Sequence, residues 1–173
     1  MKLRSLETVL RALDSVSVRY LVAGDVAVNA YGHQRLTQDL DLVIGLGREN
    51  VLRALGALSD LGYRPVVPVA IEEFADPAKR AEWAEHRNMQ VFSLASDTYL
   101  DTTVDIFVRE PFDFEAEYEA AEIHELAPGV RLPLVALSTL IAMKREADRP
   151  TDQDDVKHLS WIAEERETGA PGE

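Results

Sequence analysis

The sequence predicts an α/β (α+β) fold on a small mixed β-sheet flanked by helices. Three observations carry this. Short apolar runs with period-two alternation, such as Asp39–Ile44 and Thr102–Val108, read as strands. Stretches with apolar residues three and four apart, such as Leu3–Val16 and Val51–Leu61, read as helices. The two kinds follow one another without strict alternation, which argues against a purely parallel sheet.

In order, Leu3, Leu6, Val9, Leu10 and Leu13 form the apolar stripe of a first helix, and Asp14–Ser17 breaks it. Tyr20–Ala23 is the first strand, and the turn at Gly24 opens a helix carrying Ala27, Val28 and Tyr31 that stops at Gly32. A polar approach, His33–Gln38, leads to the second strand, Asp39–Ile44, which Gly45 and Gly47 terminate. Val51, Leu52, Leu55, Leu58 and Leu61 make one face of a strong helix with Gly62 as its stop. Pro65 and Pro68 push the strand Tyr63–Val69 to a sheet edge. The charged stretch Ile71–Asn88, with Phe74 and Trp83 as its large apolar residues, reads as a helix-bearing insertion or lid. Met89–Leu94 and Thr102–Val108 are strands flanking a polar turn. Phe112–Ile123 reads as a loop plus a short helix, and Val130–Pro133 as a short strand. Helices over Leu137–Ala147 and about Gln153–Glu165, separated by the breaker Arg149–Pro150, close the chain.

The 173 residues are read as one domain over 1–167 with a frayed tail over 168–173. No apolar run is long enough to span a bilayer, and no basic-then-apolar leader opens the chain, so the expectation is a cytoplasmic protein. The absence of cysteine excludes disulfides, thiolate metal sites and cysteine nucleophiles together. A formal net charge of -13 gives no general footprint for duplex DNA, although a local basic groove could still take an RNA end.

The pattern that points to chemistry is Asp39-Leu40-Asp41-Leu42. Residues two apart on a strand share a face, so the two carboxylates project together while Leu40, Leu42 and Ile44 enter a core. Paired like charges are costly unless a cation neutralises them, and oxygen-rich carboxylate pairs suit a magnesium-type ion. The same spacing also describes the solvated face of an edge strand. Asp105 alternates with Val104 and Ile106 in the same way. Lys144 falls within the apolar face made by Leu137, Leu140, Ile141 and Ala147, where a lysine stem can also simply snorkel. His33, His86, His124 and His158 show no metal-ligand spacing, and Asp152, Asp154 and Asp155 read as the first turn of the last helix.

An apolar strand ending at Gly24, thirteen residues after Asp25, then the acid–apolar–acid triplet and Val104-Asp105-Ile106, resembles the DNA polymerase β-type nucleotidyltransferase superfamily. More narrowly, Gly32–Asp41 and Leu140–Lys144, followed by Arg149 and Asp152–Asp155, resemble bacterial toxin and abortive-infection nucleotidyltransferases. The resemblance implies a nucleotidyltransferase fold with C-terminal helices. It also implies transfer of a nucleotidyl group from a nucleoside triphosphate to an acceptor hydroxyl, dependent on Mg2+ (or Mn2+). The acceptor stays open between a protein hydroxyl, a tRNA end and a small molecule such as an antibiotic, and a cognate antitoxin is a conceivable partner.

It casts Asp39, Asp41 and Asp105 as metal ligands and catalytic carboxylates, with Asp105 beside the acceptor hydroxyl. Gly24 and Lys144 then meet the triphosphate, and Arg35 and Thr37 either line the pocket or are ordinary loop polarity. Asp25 departs from the family pattern of Gly or Ser. It either repels the phosphates or turns back to cap its own helix, the arrangement expected here because Val26–Ala30 needs a helix start. A member degenerate at Asp25, binding nucleotide or a partner protein without turnover, is the alternative.

Overall fold

A computed structural model describes residues 1–169 of the chain. Among the described residues, seven strands form one mixed sheet in the order β3-β4-β5-β2-β1-β7-β6. They are β1 (Tyr20–Val22), β2 (Asp39–Ile44), β3 (Tyr63–Pro65), β4 (Val91–Ser96), β5 (Thr103–Phe107), β6 (Glu122–Ala127) and β7 (Val130–Leu134). The helices are α1 (Leu3–Ser15), α2 (Gly24–Tyr31), α3 (Arg48–Asp60), α4 (Pro77–His86), α5 (Phe114–Glu119), α6 (Leu137–Ala147) and α7 (Pro150–Thr168). No helix among the described residues is long and apolar enough to cross a membrane.

The centre of the sheet is β5-β2-β1. There β2 runs antiparallel to β1 and parallel to β5. Leu40, Leu42 and Ile44 of β2 and Val104 and Ile106 of β5 are almost wholly buried. α1 packs on α3 and β7, whereas α2, α6 and α7 pack on one another. The side chains that alternate with the β2 and β5 aliphatic residues therefore face the α2–α6 group.

Three stretches differ from the sequence reading. The segment after α5 holds a strand, β6, paired antiparallel with β7 through the turn at Gly129. Its acidic, half-exposed composition gives little apolar signal because it is an edge strand with one neighbour. The stretch Ile71–Asn88 bears a helix, as expected, but it is no lid. Asp76 caps α4 by accepting from the Ala78 N–H at 2.8 Å, with Pro77 in the first turn. Phe74 and Trp83 are buried, with ring centroids 5.0 and 5.4 Å from Phe92.

Finally, α7 begins at Pro150, which starts the helix as well as ending the previous one, because its missing N–H is not needed in the first turn. The helix continues to Thr168, so the expected frayed tail has an ordered first residue, and its residues 170–173 lie outside the described residues.

Candidate active site

Register builds the acidic cluster. Asp41 of β2 lies opposite Asp105 of β5, and Asp39 lies two residues earlier, opposite Thr103. A two-residue period and a parallel register together place all three aspartates on one face of the sheet. None of the three pairs with a Lys, Arg or His among the described residues. Burial raises Asp41 to about 7, helped by the charges of Asp105, Asp25 and Asp39 and opposed by Lys144. Burial also raises Asp105, and Asp39 adds to it while Ser93, opposite on β4, works against it. Asp105 Oδ1 is buried and has no hydrogen-bond partner among the described residues. Two adjacent carboxylates, one with an unpartnered oxygen, form a cluster of oxygen donors.

Gly24 closes this cluster on one side. The Ala23 N–H donates to the Asp41 carbonyl at 2.9 Å, extending the β1–β2 ladder to the point where α2 begins. Gly24 has φ +58°, and a Cβ built there would lie 1.9 Å from Asp41 Oδ2. Glycine is thus required twice, by backbone conformation and by the approach of the carboxylate. The N–H groups of the first turn of α2, which have no intrahelical partners, open beside Asp41.

Asp25 does not cap its helix: Ala23 occupies the N-cap position, without a side-chain bond. The Asp25 carboxylate instead accepts from Lys144 Nζ at 2.7 Å and lies 3.2 Å from Arg35 Nη2. Lys144 also reaches Asp152 Oδ1 at 3.0 Å and Asp155 Oδ2 at 2.8 Å, and Arg35 bonds Asp155 Oδ2 as well. Arg149 donates to Asp152 Oδ2 at 2.7 Å. Burial by itself would lower Lys144, but Asp155, Asp25 and Asp152 reverse the direction and hold it raised. Arg149 and Lys144 overcome burial to hold Asp152 down at about 2. Lys144 is therefore no snorkelling stem but a buried cation within a network. In that network Lys144, Arg35 and Arg149 pair with Asp25, Asp152 and Asp155, and none of the three cations forms an ion pair with Asp39, Asp41 or Asp105.

A cleft of about 560 Å³ opens on the cluster, lined by Gly24, Asp41, Phe107, Leu140, Lys144 and Arg149 among others. Arg35 and Thr37 border a different cavity of about 370 Å³, alongside Met1 and Leu36. Thr37 braces the triplet from the outside, accepting from the Asp39 N–H at 3.2 Å. Asp152 and Asp155, which the sequence reading took as the first turn of the last helix, are members of this network. They are almost fully buried. Their signal is present in the spacing, since Asp152, Asp155 and Leu159 share one face of α7.

The donors present fit a hard divalent ion. Asp39, Asp41 and Asp105 offer only oxygen, and the orphaned Asp105 Oδ1 together with the raised Asp41 supplies the unmet demand for positive charge.

The mixed sheet, with the Gly24 turn and the β2–β5 carboxylates at its centre, has the fold of solved antibiotic adenylyltransferases. The chain matches no family model and no curated protein. Among solved structures it is similar to the lincosamide antibiotic adenylyltransferase LnuA with lincomycin bound. The identity is 16%, the TM-score 0.58, and the match covers 92% of this chain and 96% of that one. It is also similar to ANT(2'')-Ia in complex with adenylyl-2''-tobramycin, at 14% identity and a TM-score of 0.59, covering 96% and 91%. A solution structure of ANT(2'')-Ia matches with a TM-score of 0.55.

Proposed function

We propose that this protein is a nucleotidyltransferase, dependent on magnesium or manganese, that moves a nucleotidyl group from a nucleoside triphosphate to a hydroxyl of a small-molecule acceptor. The observation that carries the reading is the register of Asp41 with Asp105, one against the Gly24 turn and the other with a buried, unpartnered oxygen.

Asp39 and Asp41 would hold the metal ions on the triphosphate side, and Asp105 on the acceptor side. When bound, such ions neutralise the phosphates and acidify the acceptor hydroxyl. The acceptor oxygen attacks the α-phosphorus, the bond to the β-phosphate bridging oxygen breaks, and pyrophosphate leaves with that electron pair. Asp105, whose pKa burial has raised, takes the hydroxyl proton. Gly24 admits the phosphates to the first-turn N–H groups of α2. Lys144 and Arg149, lining the same cleft, supply positive charge at its wall.

The small-molecule acceptor is supported by the lincomycin- and tobramycin-bearing neighbours and by the acidity of the chain, which disfavours nucleic acid. The narrower likeness of Gly32–Asp41 to toxin and abortive-infection enzymes supports instead a protein or tRNA hydroxyl, with an antitoxin as partner. A second reading, nucleotide binding without turnover, rests on the commitment of Lys144 and Arg35 to Asp25.

The test incubates the chain with magnesium and each α-labelled nucleoside triphosphate against hydroxylated antibiotics, tRNA and protein fractions. Labelled acceptor with release of pyrophosphate is expected, and Asp41→Asn or Asp105→Asn should reduce it at least a thousand-fold. Calorimetric binding of magnesium–nucleotide with no transfer would establish the second reading. An absence of magnesium-dependent binding would overturn both.

A further inference from the structure

The histidines without metal-ligand spacing in the sequence are brought together by the fold. His33, on the loop after α2, and Asp154 and His158, one turn apart on α7, each place a ligand-type atom within 4.8 Å of the other two. His33 Nε2 lies 3.4 Å from Asp154 Oδ2 and 3.7 Å from Asp155 Oδ1. We infer that His33, His158 and Asp154 form a second divalent-metal site, selective for a borderline ion of the zinc class, tying the loop before β2 to α7.

Four features support this. Residues four apart on a helix face chelate a single ion readily, as Asp154 and His158 are placed to do. His158 Nδ1 lies 2.9 Å from the Asp154 carbonyl oxygen and 3.6 Å from Asp154 Oδ2, so the ring is held beside the carboxylate. The buried Asp155 turns Oδ2 to Lys144 and Arg35, leaving Oδ1 toward His33 as a further oxygen donor. The His33 and His158 rings stack with centroids 3.9 Å apart and planes 9° from parallel. Coordination asks one ring to turn about its Cβ–Cγ bond.

Two imidazole nitrogens with carboxylate oxygens suit Zn2+, Ni2+ or Cu2+, whereas Mg2+ takes oxygen alone. The two sites thus separate by ligand chemistry. The zinc-class site also adjoins Asp155, which anchors Lys144 and Arg35, so an ion there would brace the charged network from behind.

The experiment titrates Zn2+ into the chelator-treated full chain by calorimetry and repeats the titration with Co2+, following its visible absorption. The expected result is one tight equivalent with cobalt bands showing nitrogen ligation, weakened at least ten-fold in both His33→Ala and His158→Gln. The Asp41→Asn/Asp105→Asn double variant should retain it. His158 is partly exposed, so its variant is expected to fold, which a thermal melt without metal verifies. Absence of zinc binding, affinity unchanged in folded His158→Gln, or loss of the equivalent in the aspartate double variant would each overturn the site. None of these outcomes depends on nucleotide transfer.

Discussion

At Gly24 backbone conformation and active-site geometry coincide. Alanine there would hold a left-handed φ at a cost of about 1–2 kcal/mol and would drive its Cβ into the Asp41 carboxylate. Gly24→Ala is expected to lower the melting temperature by a few degrees yet reduce transfer at least a hundred-fold, as thermal melts and the labelled assay on folded protein would show. Activity falling only in step with stability would make the contact merely structural. Lys144 carries a different expectation. Its stem lies in an apolar face, but its ammonium is surrounded by Asp25, Asp152 and Asp155. Lys144→Met leaves those carboxylates without their shared cation, which costs about 3–5 kcal/mol for a buried pair broken on one side. A fall of about 6–20 °C in melting temperature is expected for a chain of this size. The simple snorkelling reading predicts no loss.

At the scale of elements, α4 separates a lid from a piece of the core. A lid carries few buried contacts, whereas Trp83 is 1% exposed and stacks on Phe92 of β4. Trp83→Ala should destabilise the chain by about 3–5 kcal/mol, measured by denaturant unfolding. A loss below about 1 kcal/mol would return the segment to the surface. The β2–β5 pairing acts at the same scale. A one-residue slip would send Asp41 into the apolar layer and Leu40 or Leu42 into the cleft, so burial of the aliphatic residues fixes where the carboxylates point.

Across the whole molecule, α6 and α7 are joined to α2 and the loop before β2 by charge as much as by packing. This makes part of the stability pH-dependent. Asp152 is held at about 2, below its unfolded value, so its contribution is complete above about pH 4 and is lost as pH falls toward 2. The difference corresponds to about 2 kcal/mol. Asp152→Asn lacks this term, so the gap in melting temperature between it and the wild type should be wide at pH 5 and narrow by pH 2. A gap independent of pH would mean that the Asp152 charge does not hold the helices together.

The local pattern of the chain was sufficient for the central strands, the Gly24 turn, the Asp39–Asp41 pair and the alternation of Asp105. Period-two alternation and glycine conformation are properties of neighbouring residues, and a strand buried on one face leaves its carboxylates on the other. The edge strand β6 left no such trace, because one neighbour and a solvated face impose little apolar demand on Glu122–Ala127. The pairings of Asp25, Lys144, Asp152 and Asp155, and the meeting of His33 with His158, span separations in the chain that no local period encodes. Only the docking of α7 against α2 and α6 decides them. A buried charge takes whichever opposite charge the packing delivers, and that partner is chosen in three dimensions.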